Sequence, residues 1–583
     1  MSTDSGEIQN LLRELSGKRQ RWVDVNEENE FSEGINNLLT ELYPENAHFI
    51  YELLQNAEDV EASNVSFKLQ SDQLVVEHDG KRRFTFKDIK SITSIGTSTK
   101  KDDPTAIGKF GVGFKAVFAY TNTPEIHSGD HHFCIHDLVV PDTTNVKRIN
   151  VGEKTQFVFP FDHPNKKPNL AVEEIRRGLL ELPDITLLFL KHISEIEFVL
   201  PDGSKGSLHR KSDSDPIIEI QSKRPHDPDL GTSVTHNNKH LITKTNWLRF
   251  TEKVEIADPD KDNRLKECDI SIAFNLERKK KHSKDKKNSS TQISNSIWEI
   301  TPLENGNVSI YFPAIKEISR LRFHINAPFA STVARDSVRE CKVNKDLRDH
   351  LADLLAKSMT DIRDLGLLTP DFLGNLPLRN DDLSPFYDPI RKRLIHEFNN
   401  WPLVPIMSGD FKRASRLCIG PDAITSRIGD NELAFLSDYE YLRWVERPSQ
   451  NNSRAANFLK SLDIYEWDFI DLKMAARTDT GSEKKWLESK SDEWICDLYS
   501  SLNDYSRHHA ARTAAESFPI IRIKSKRHML IDTKRIYLSV GDQFSSHFEV
   551  IDPKVIKSSE ADVKGEVNSF SFTNSDDFGI QLP

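Results

Sequence analysis

Three short motifs that follow one another between residues 52 and 114 restrict the fold of this chain more than any other feature. The first is ELLQNAED (residues 52–59), the second is HDG (78–80), and the third is GKFGVGF (108–114). The surrounding pattern predicts a helix for the first, a strand end for the second, and a turn that opens a helix for the third. Together they predict one polar binding site in a domain that mixes helices and strands.

The first motif places three polar side chains on one stripe of a helix. At about 100° per residue, Glu52, Asn56 and Asp59 fall at roughly 0°, 40° and −20°. Alone, such a stripe is typical of an ordinary solvated helix face. As a site, Glu52 could polarise a water as general base. The amide oxygen of Asn56 suits Mg²⁺, which prefers oxygen ligands, and Asp59 could accept hydrogen bonds near a nucleoside.

The second motif follows the predicted strand QLVVE. A hydrogen-bond acceptor at a strand end, His78 or Asp79, could meet the exocyclic amine of a purine, while Gly80 lets the backbone approach closely. HDG alone is a weak signal, because such turns are common.

The third motif exposes backbone amides at the start of a helix. Amides beside Gly108, Gly111 and Gly113, next to a helix N-terminus, form a ready phosphate cradle. The alternative is a helix-entry turn with structural glycines. The motif is not a P-loop, because no Lys-Ser/Thr pair follows the last glycine. It is not a Rossmann fingerprint, because the spacing is G-x-x-G-x-G and no strand immediately precedes it.

These motifs resemble those of the GHKL ATPases, whose nucleotide-binding domain has the Bergerat fold. ELLQNAED resembles the N box, HDG the adenine-side glycine motif, and IGKFGVGF the glycine-rich lid motif. The last is also similar to that of the ninety-kilodalton heat-shock chaperone, and IGTSTK with IGKFGVGFKAVF most resembles the sacsin-type subgroup. The resemblance is specific over about residues 45–160.

The resemblance implies an ATPase that uses Mg²⁺. It implies that Glu52 acts on the attacking water, that Asn56 binds Mg²⁺, and that the glycine-rich segment binds phosphates beneath a mobile lid. Thr155, in KTQFVFPF, would help to hold adenine. The remaining nucleotide-site residues implied by the motifs are Ser98, Thr99 and Lys100 at the start of the lid, and Lys109, Phe110, Val112 and Phe114 in the glycine-rich segment.

One position departs from the family pattern D-x-G-x-G, because the second glycine is missing from HDGKRRF. Counting from Gly80 makes His78 the adenine acceptor, and counting from Phe84 makes it Asp79. A carboxylate accepts a hydrogen bond from an amine more naturally, so the sequence favours Asp79.

A second resemblance lies downstream, in INAPFASTVARDSVRE. It is similar to the middle-domain loop of the chaperone, whose arginine reaches the γ-phosphate. Arg335 would then stabilise transition-state charge. The alternative is a surface arginine paired with Asp336 or Glu340.

Length and composition limit the remaining possibilities. The 583 residues suggest three or four domains. The net charge of −11 argues against a surface built for nucleic acid. Five scattered cysteines without a CxxC pair fit a reducing compartment and make a zinc knuckle or redox motif unexpected. The N-terminal residues do not resemble a signal peptide, and no apolar run could span a membrane, so we expect a cytoplasmic protein.

The predicted fold class is α+β. We expect a Bergerat α/β sandwich over residues 1–185, a transducer-like α+β domain over 186–365 that carries Arg335, and a mixed α/β region over 366–583. In that last region WPLVPIMSGDFKR and SFPIIRIKSKRHM are loosely alike, which suggests a degenerate, sacsin-like repeat.

The predicted function is a slow, Mg²⁺-dependent ATPase that works as a conformational switch, either chaperone-like or in defence or regulation. Closure as a homodimer and a protein client or partner subunit are expected by analogy. A histidine kinase is disfavoured, because that class needs a His-bearing pair of dimerisation helices upstream and only about 45 residues precede the first motif. A nucleic-acid enzyme is disfavoured by charge, although seven of the ten residues 278–287 are Lys or Arg. A nucleotide-gated scaffold without turnover remains the main alternative.

Overall fold

A computed structural model describes most of the chain up to residue 497 and four short segments beyond it. The described residues are 5–31, 34, 49–95, 113–214, 216–226, 240–257, 265–279, 297–332, 337–437, 439–467, 471, 482–497, 521–522, 528–529, 536–537 and 549–550.

The chain divides into two compact units. The first contains residues 1–284, 295–367 and 374–394, and the second contains 285–294, 368–373 and 395–583. The predicted boundary at 185/186 lies inside the first unit, where one sheet continues across it.

The α-helices described up to residue 400 are α1 (Ser5–Glu28), α2 (Phe49–Glu58), α3 (Phe86–Ile92), α4 (Pro168–Leu180), α5 (Lys342–Asp364) and α6 (Asp388–Asn400). Short 3₁₀ helices cover Gly113–Ala119, Asp184–Leu187 and Asp371–Asn375. The strands of the first unit are β1 (Asn64–Leu69), β2 (Gln73–His78), β3 (Glu125–Ser128), β4 (His131–His136), β5 (Val140–Asp142), β6 (Thr155–Pro160), β7 (Glu195–Val199), β8 (Lys205–Ser214), β9 (Ile217–Pro225), β10 (His240–Ala257), β11 (Leu265–Arg278), β12 (Trp298–Thr301), β13 (Asn307–Ile310), β14 (Phe312–Ile318) and β15 (His324–Asn326).

These strands form one mixed sheet. Its order is β14-β13-β15-β11-β10-β9-β8-β7-β1-β2-β6-β3-β4-β5, and β12 pairs with β11 outside this path. The pairs β1–β7 and β13–β15 are parallel, and the other pairs are antiparallel. The α+β prediction is therefore confirmed for the first unit. Because β1 pairs with β7, this sheet contains strands from both of the first two predicted domains.

The N-terminal strands bury alternate residues, because successive side chains point to opposite faces of a sheet. Val65 and Phe67 on β1, and Phe157 and Phe159 on β6, belong to the main hydrophobic core. The helices α2 and α4 contribute Leu53, Ile175 and other apolar residues to the same core. The alternate positions, such as Ser66, Lys68 and Gln156, lie on the other face and are not buried. We call these the helix face and the open face.

Several local predictions are confirmed. Thr85 caps α3 in a reciprocal arrangement, in which its side chain accepts a hydrogen bond from the Asp88 amide while Asp88 accepts one from the Thr85 amide. The strands expected at SNVSFKL, QLVVEH, HHFCIH and TQFVFP are present. The helix expected at 345–365 spans Lys342–Asp364. In contrast, the apolar run LLFLKHI was expected to be a strand, but it follows a 3₁₀ helix at Asp184–Leu187 and only the residues from Glu195 onward form one.

The second unit contains small sheets and short helices. Its described helices include α7 (Asp422–Thr425), α8 (Asp430–Leu436), α9 (Ser453–Lys460) and α10 (Ser482–Glu488), and its strand pairs and triplets are Val404–Pro405 with Phe411–Lys412, Leu417–Ile419 with Arg443–Trp444 and Tyr465–Glu466, Ile521–Arg522 with His528–Met529, and Ile536–Tyr537 with Glu549–Val550. Its described core includes two aromatic pairs, with the rings of Trp444 and Trp467 5.8 Å apart and those of Phe398 and Phe458 5.1 Å apart.

The two segments that look alike in sequence form equivalent strand pairs. Val404 pairs with Lys412, and Ile521 pairs with Met529, so the antiparallel register is the same in both. Each pair begins two residues after a proline, Pro402 or Pro519. The repeat itself stays a prediction. Among the described helices, none has the length and apolar character needed to cross a membrane.

Candidate functional site

The first and third motifs meet in the structure. The carboxylate of Glu52, on α2, is 5% exposed and lies against the α-carbon of Gly113. A Cβ added at Gly113 would lie 3.0 Å from Glu52 Oε1 and closer still to Oε2 and Cδ. Position 113 therefore has room for a glycine only, while Glu52 stays where it is.

The second motif packs against the end of α2. The Lys81 amide donates a hydrogen bond to the carbonyl of Val60, 2.8 Å away. A Cβ at Gly80 would overlap the Val60 side chain and would lie 2.9 Å from His78 Nδ1. As at Gly113, a close approach explains the glycine. The segment 52–60 thus contacts Gly113 of the third motif at Glu52 and the second motif at Val60.

The polar residues of α2 divide into two groups. Asn56 and Asp59 are half-buried. Glu58 is buried and accepts hydrogen bonds from the backbone amides of Lys191, His192 and Ile193, at 2.7, 3.0 and 2.9 Å. Glu58 therefore fixes the C-terminal end of α2 to the segment that leads into β7. It acts as an anchor, and Asn56 and Asp59 are the members of the stripe that remain partly accessible.

A row of buried polar side chains crosses the sheet on the helix face. His78 pairs with Thr155, and Thr155 pairs with Ser128 on the next strand. These three residues are 5%, 0% and 0% exposed, and the hydroxyls of Ser128 and Thr155 are 2.7 Å apart. The ring of Phe157 lies 6.1 Å from that of His78 and 6.1 Å from that of Phe114. The row therefore lies beside the residue that follows the glycine-rich segment.

His78 and Asp79 have different surroundings. Nδ1 of His78 accepts a hydrogen bond from the Gly80 amide at 3.2 Å. The Asp79 carboxylate accepts four: Oδ1 from the Ser63 and Asn64 amides, and Oδ2 from the Ser63 hydroxyl and the Asn64 side-chain amide, all at 2.8–3.0 Å. Although burial alone would raise it, these hydrogen bonds lower the pKa of Asp79. Asp79 therefore holds the start of β1.

Lys115 is buried and follows the glycine-rich segment in sequence. Its ammonium donates hydrogen bonds to the carbonyl of Ile92, at 2.6 Å, and to that of Leu138. Burial, together with the charge of Arg19, lowers the pKa of Lys115 to about 7. Lys115 thus joins the end of α3 to the turn between β4 and β5. Both contacts lie close to the ends of the segment 96–112.

Part of the predicted site lies outside the described residues. These positions are Ser98, Thr99, Lys100, Gly108, Lys109, Phe110, Gly111, Val112 and Arg335, and the basic run at 278–287 is described only up to residue 279.

One well-formed groove of about 730 Å³ lies elsewhere, on the open face of the sheet. Its lining includes Lys68, Glu77, Glu125, His127 and Lys147. None of the motif residues lines this groove, so it is separate from the site on the helix face.

Three residues with clear structural parts in this region were not predicted from the sequence. Glu58 lies in the first motif, but it is not on the helix stripe that carries Glu52, so no role was predicted for it. Ser128 carries no motif, and only its register with Thr155 reveals it. Lys115 follows the last motif directly, and a lysine inside the apolar run GFKAVFAY was a usable signal, since lysine is almost never fully buried without partners.

Comparisons with known proteins give one family match and several similar proteins. Residues 68–171 match the family model of the Sacsin domain. "Protein NO VEIN" of Arabidopsis thaliana is 42% identical over 102 residues, which cover 16% of this chain and 4% of that protein. "Sacsin" of Homo sapiens is 38% identical over 104 residues, which cover 15% of this chain and 2% of that protein. The chain therefore spans only a small fraction of the length of these relatives.

Two solved structures have similar chain traces. One is the N-terminal domain of a DNA repair protein (TM-score 0.31, 11% identity, 56% of this chain and 96% of that one). The other is the B-subunit of DNA gyrase from Myxococcus xanthus (TM-score 0.32, 8% identity, 58% of this chain and 99% of that one).

The family match covers β2 through β6 and the glycine-rich segment, and helix α2, which contacts Gly113, lies just before it. The first unit thus has an α+β fold, and its residues 68–171 are similar to the Sacsin domain.

Proposed function

We propose that this protein binds ATP with Mg²⁺ and hydrolyses it slowly, and that the nucleotide state switches its conformation. The observation that carries the proposal is the contact between Glu52 and Gly113. A buried carboxylate held against the last glycine of an amide-rich turn supports a site where a water and a phosphate meet.

The residues at the site fit such a ligand. Gly80 and Gly113 let the backbone approach the Val60 and Glu52 side chains closely, which holds parts of the motifs together at the proposed site. Asn56 offers an amide oxygen of the kind that Mg²⁺ prefers. When bound, Mg²⁺ would neutralise charge on the phosphates.

In this proposal Glu52 accepts a proton from the attacking water. Its burial beside Gly113 restricts it to a small volume, so the carboxylate is oriented before the substrate arrives. The amides of the glycine-rich segment, with Lys109, Phe110, Val112 and Phe114 between and after the glycines, stabilise the phosphates. Ser98, Thr99 and Lys100 contribute at the start of the lid.

For the contact with adenine, we propose His78 with Thr155 rather than Asp79. Each Asp79 oxygen already accepts two hydrogen bonds from Ser63 and Asn64, and these would be lost if the carboxylate turned toward a ligand. His78 and Thr155 share the buried row on the helix face, near Phe114.

The remaining parts of the proposal concern the whole chain. The first 185 residues bind ATP, residues 186–365 carry Arg335 to the γ-phosphate on closure, and residues 366–583 connect the switch to a client, a partner subunit or a second copy of the chain. The sheet that continues from β1 to β7 supports mechanical coupling between the first two parts. A cytoplasmic, chaperone-like or defence role remains a prediction.

The test compares Glu52→Ala with Glu173→Ala. Glu173 is an exposed glutamate on α4 that makes only a weak pair with Arg176, so it is a matched control. We expect Glu52→Ala to bind Mg-ATP but to hydrolyse it about 10²–10⁴-fold more slowly, the usual effect of removing a general base. Glu173→Ala should match the unchanged protein in both assays.

Calorimetry with Mg-ATP and a steady-state phosphate-release assay distinguish the alternatives. If the unchanged protein binds no ATP, the proposal is wrong. If it binds ATP without turnover, it is a nucleotide-gated scaffold. Full turnover by Glu52→Ala would mean that another residue is the general base.

A further inference from the structure

A cluster of side chains that are common metal ligands lies on the open face of the sheet, at its edge. Cys134 and His136 are two residues apart on β4 and therefore point to the same side, opposite to the core residues Phe133 and Ile135. Asp142 on β5 is the direct pairing partner of Cys134. The sequence predicted no metal site here, because the third residue comes from a neighbouring strand.

The three ligand atoms lie within bonding reach of a single ion. Cys134 Sγ is 3.2 Å from His136 Nε2, and this nitrogen is 3.5 Å from Asp142 Oδ2. All three atoms lie within 4.8 Å of one another. Around a tetrahedral zinc ion, with Zn–S of about 2.3 Å and Zn–N and Zn–O of about 2.0–2.2 Å, the S–N and N–O separations are about 3.6 and 3.4 Å. The observed separations differ from these by a few tenths of an ångström.

We propose that Cys134, His136 and Asp142 bind one Zn²⁺ ion, with the fourth tetrahedral position open to water. The proposal does not depend on ATP binding, since it concerns the opposite face of the sheet. A thiolate and an imidazole select zinc over Mg²⁺, which prefers oxygen ligands. Cys134 is buried, while His136 and Asp142 are partly exposed, so an ion can reach the site from solvent.

Binding requires loss of one proton. Burial, together with the negative charges of Asp142 and Glu125, raises the pKa of the Cys134 thiol to about 12, so without a metal the sulfur keeps its hydrogen. As the sulfur–zinc bond forms, this proton leaves to solvent and no electron is transferred. The positive ion would also remove the unfavourable proximity of a thiolate to Asp142.

The surroundings of Asp142 orient it for this role. Its Oδ1 accepts hydrogen bonds from the amide and hydroxyl of Thr144, at 2.7 and 2.6 Å, and its Oδ2 accepts one from the side chain of Asn145 at 2.9 Å. Hydrogen-bonded carboxylates are usual among metal ligands, because outer partners fix the position of the ligand. The simpler alternative is that Asp142 only closes the turn after β5.

A metal here would pin the hairpin that supports the nucleotide side of the domain. The ligands join β4 to β5, and the turn between them contains Leu138, whose carbonyl accepts a hydrogen bond from Lys115. Val139 and Val140 at the same turn pack against Val23 of α1. Zinc would therefore stabilise the sheet edge on which α1 and the Lys115 contact depend.

The experiment uses the full chain, stripped of metal with a chelator and titrated with Co²⁺ as a coloured substitute for Zn²⁺. We expect one equivalent of Co²⁺ to bind, with a thiolate-to-cobalt charge-transfer band that one equivalent of Zn²⁺ removes. Cys134→Ser should abolish the band, and His136→Gln should lower Co²⁺ affinity by more than about 100-fold, since loss of even an outer partner of a ligand costs about 10–100-fold.

Two controls separate this site from other thiols and from misfolding. Cys341→Ser removes a half-buried cysteine outside the cluster, and His131→Gln alters the same strand on its other side, so both should keep the band. Zn²⁺ should also raise the unfolding temperature of the unchanged protein. If that protein shows no thiolate band at one equivalent, or if Cys134→Ser folds and keeps the band, the proposal is wrong.

Discussion

Replacing Gly113 by alanine places a methyl group where the carboxylate of Glu52 lies. The new Cβ would be 3.0 Å from Oε1 and closer to Oε2. Since non-bonded heavy atoms are comfortable at about 3.5–4.0 Å, the carboxylate would have to withdraw by more than about 1 Å. The carboxylate is the end of a flexible side chain, so it can move, but it is 5% exposed and has little free space to enter.

Two quantities should therefore change by different amounts. We expect a loss of about 1 kcal/mol in stability, at the lower end of the range for overpacking. The rate should fall much more, because a catalytic group misplaced by about 1 Å can cost about 10²-fold. Mg-ATP affinity should stay within a few-fold, since alanine keeps the backbone amide at position 113.

Single-turnover hydrolysis, Mg-ATP calorimetry and thermal unfolding measure these effects together. Gly17→Ala, on α1, is the control: nothing lies within 4 Å of its added Cβ, and alanine should stabilise a helix by about 0.5–1 kcal/mol. In the Glu52→Ala background, Gly113→Ala should slow turnover no further, because both act through one carboxylate. A folded Gly113→Ala protein with unchanged turnover, or multiplicative effects in the double variant, would refute the reasoning.

Three further predictions concern single residues. Asn56→Ala should abolish Mg-ATP binding by calorimetry, because Mg²⁺ loses an oxygen ligand; unchanged affinity would remove Asn56 from the metal site. Arg335→Ala should lower kcat by about 10²-fold or more in single-turnover hydrolysis while ADP affinity stays nearly constant, because an arginine finger acts on transition-state charge; unchanged turnover would assign it to the surface. Asp79→Asn should lower the unfolding temperature but not ATP affinity. The folded pKa of Asp79 is below its unfolded value, so its stabilisation is present above about pH 4 and is lost as pH falls through the folded pKa. Thermal scans should show the deficit of Asp79→Asn at pH 7 and its disappearance in acid, and loss of ATP binding by the folded variant would return the adenine contact to Asp79.

Local patterns were sufficient where the determining contacts are close in sequence. The capping arrangement of Thr85 and Asp88 is read directly from the spacing, because both partners lie in one helical turn. The alternation in QLVVEH predicted β2 for a similar reason. The long strands β8 to β10 were not predicted, because their polar segments, such as KGSLHRKSDS, form strands through pairing with neighbours rather than through apolar alternation.

The proposal of His78 in place of Asp79 for the adenine contact rests on the tertiary structure. In sequence, both are acceptors beside one glycine, and the carboxylate is the chemically stronger candidate. Only the antiparallel pairing of β1 with β2 brings Ser63 and Asn64 next to Asp79, whose oxygens then accept hydrogen bonds from them. The register of β2 with β6 puts His78 beside Thr155.

Two buried charged residues near the proposed site connect distant segments of the chain. Glu58 accepts hydrogen bonds from the backbone amides of residues 191–193, and Lys115 donates hydrogen bonds to the carbonyls of Ile92 and Leu138. Each would be costly to bury without those partners. Glu58 therefore fixes α2 to the segment that leads into β7, and Lys115 joins α3 to the turn between β4 and β5. In the proposed function, these contacts would hold the framework on which Glu52 and Asn56 act.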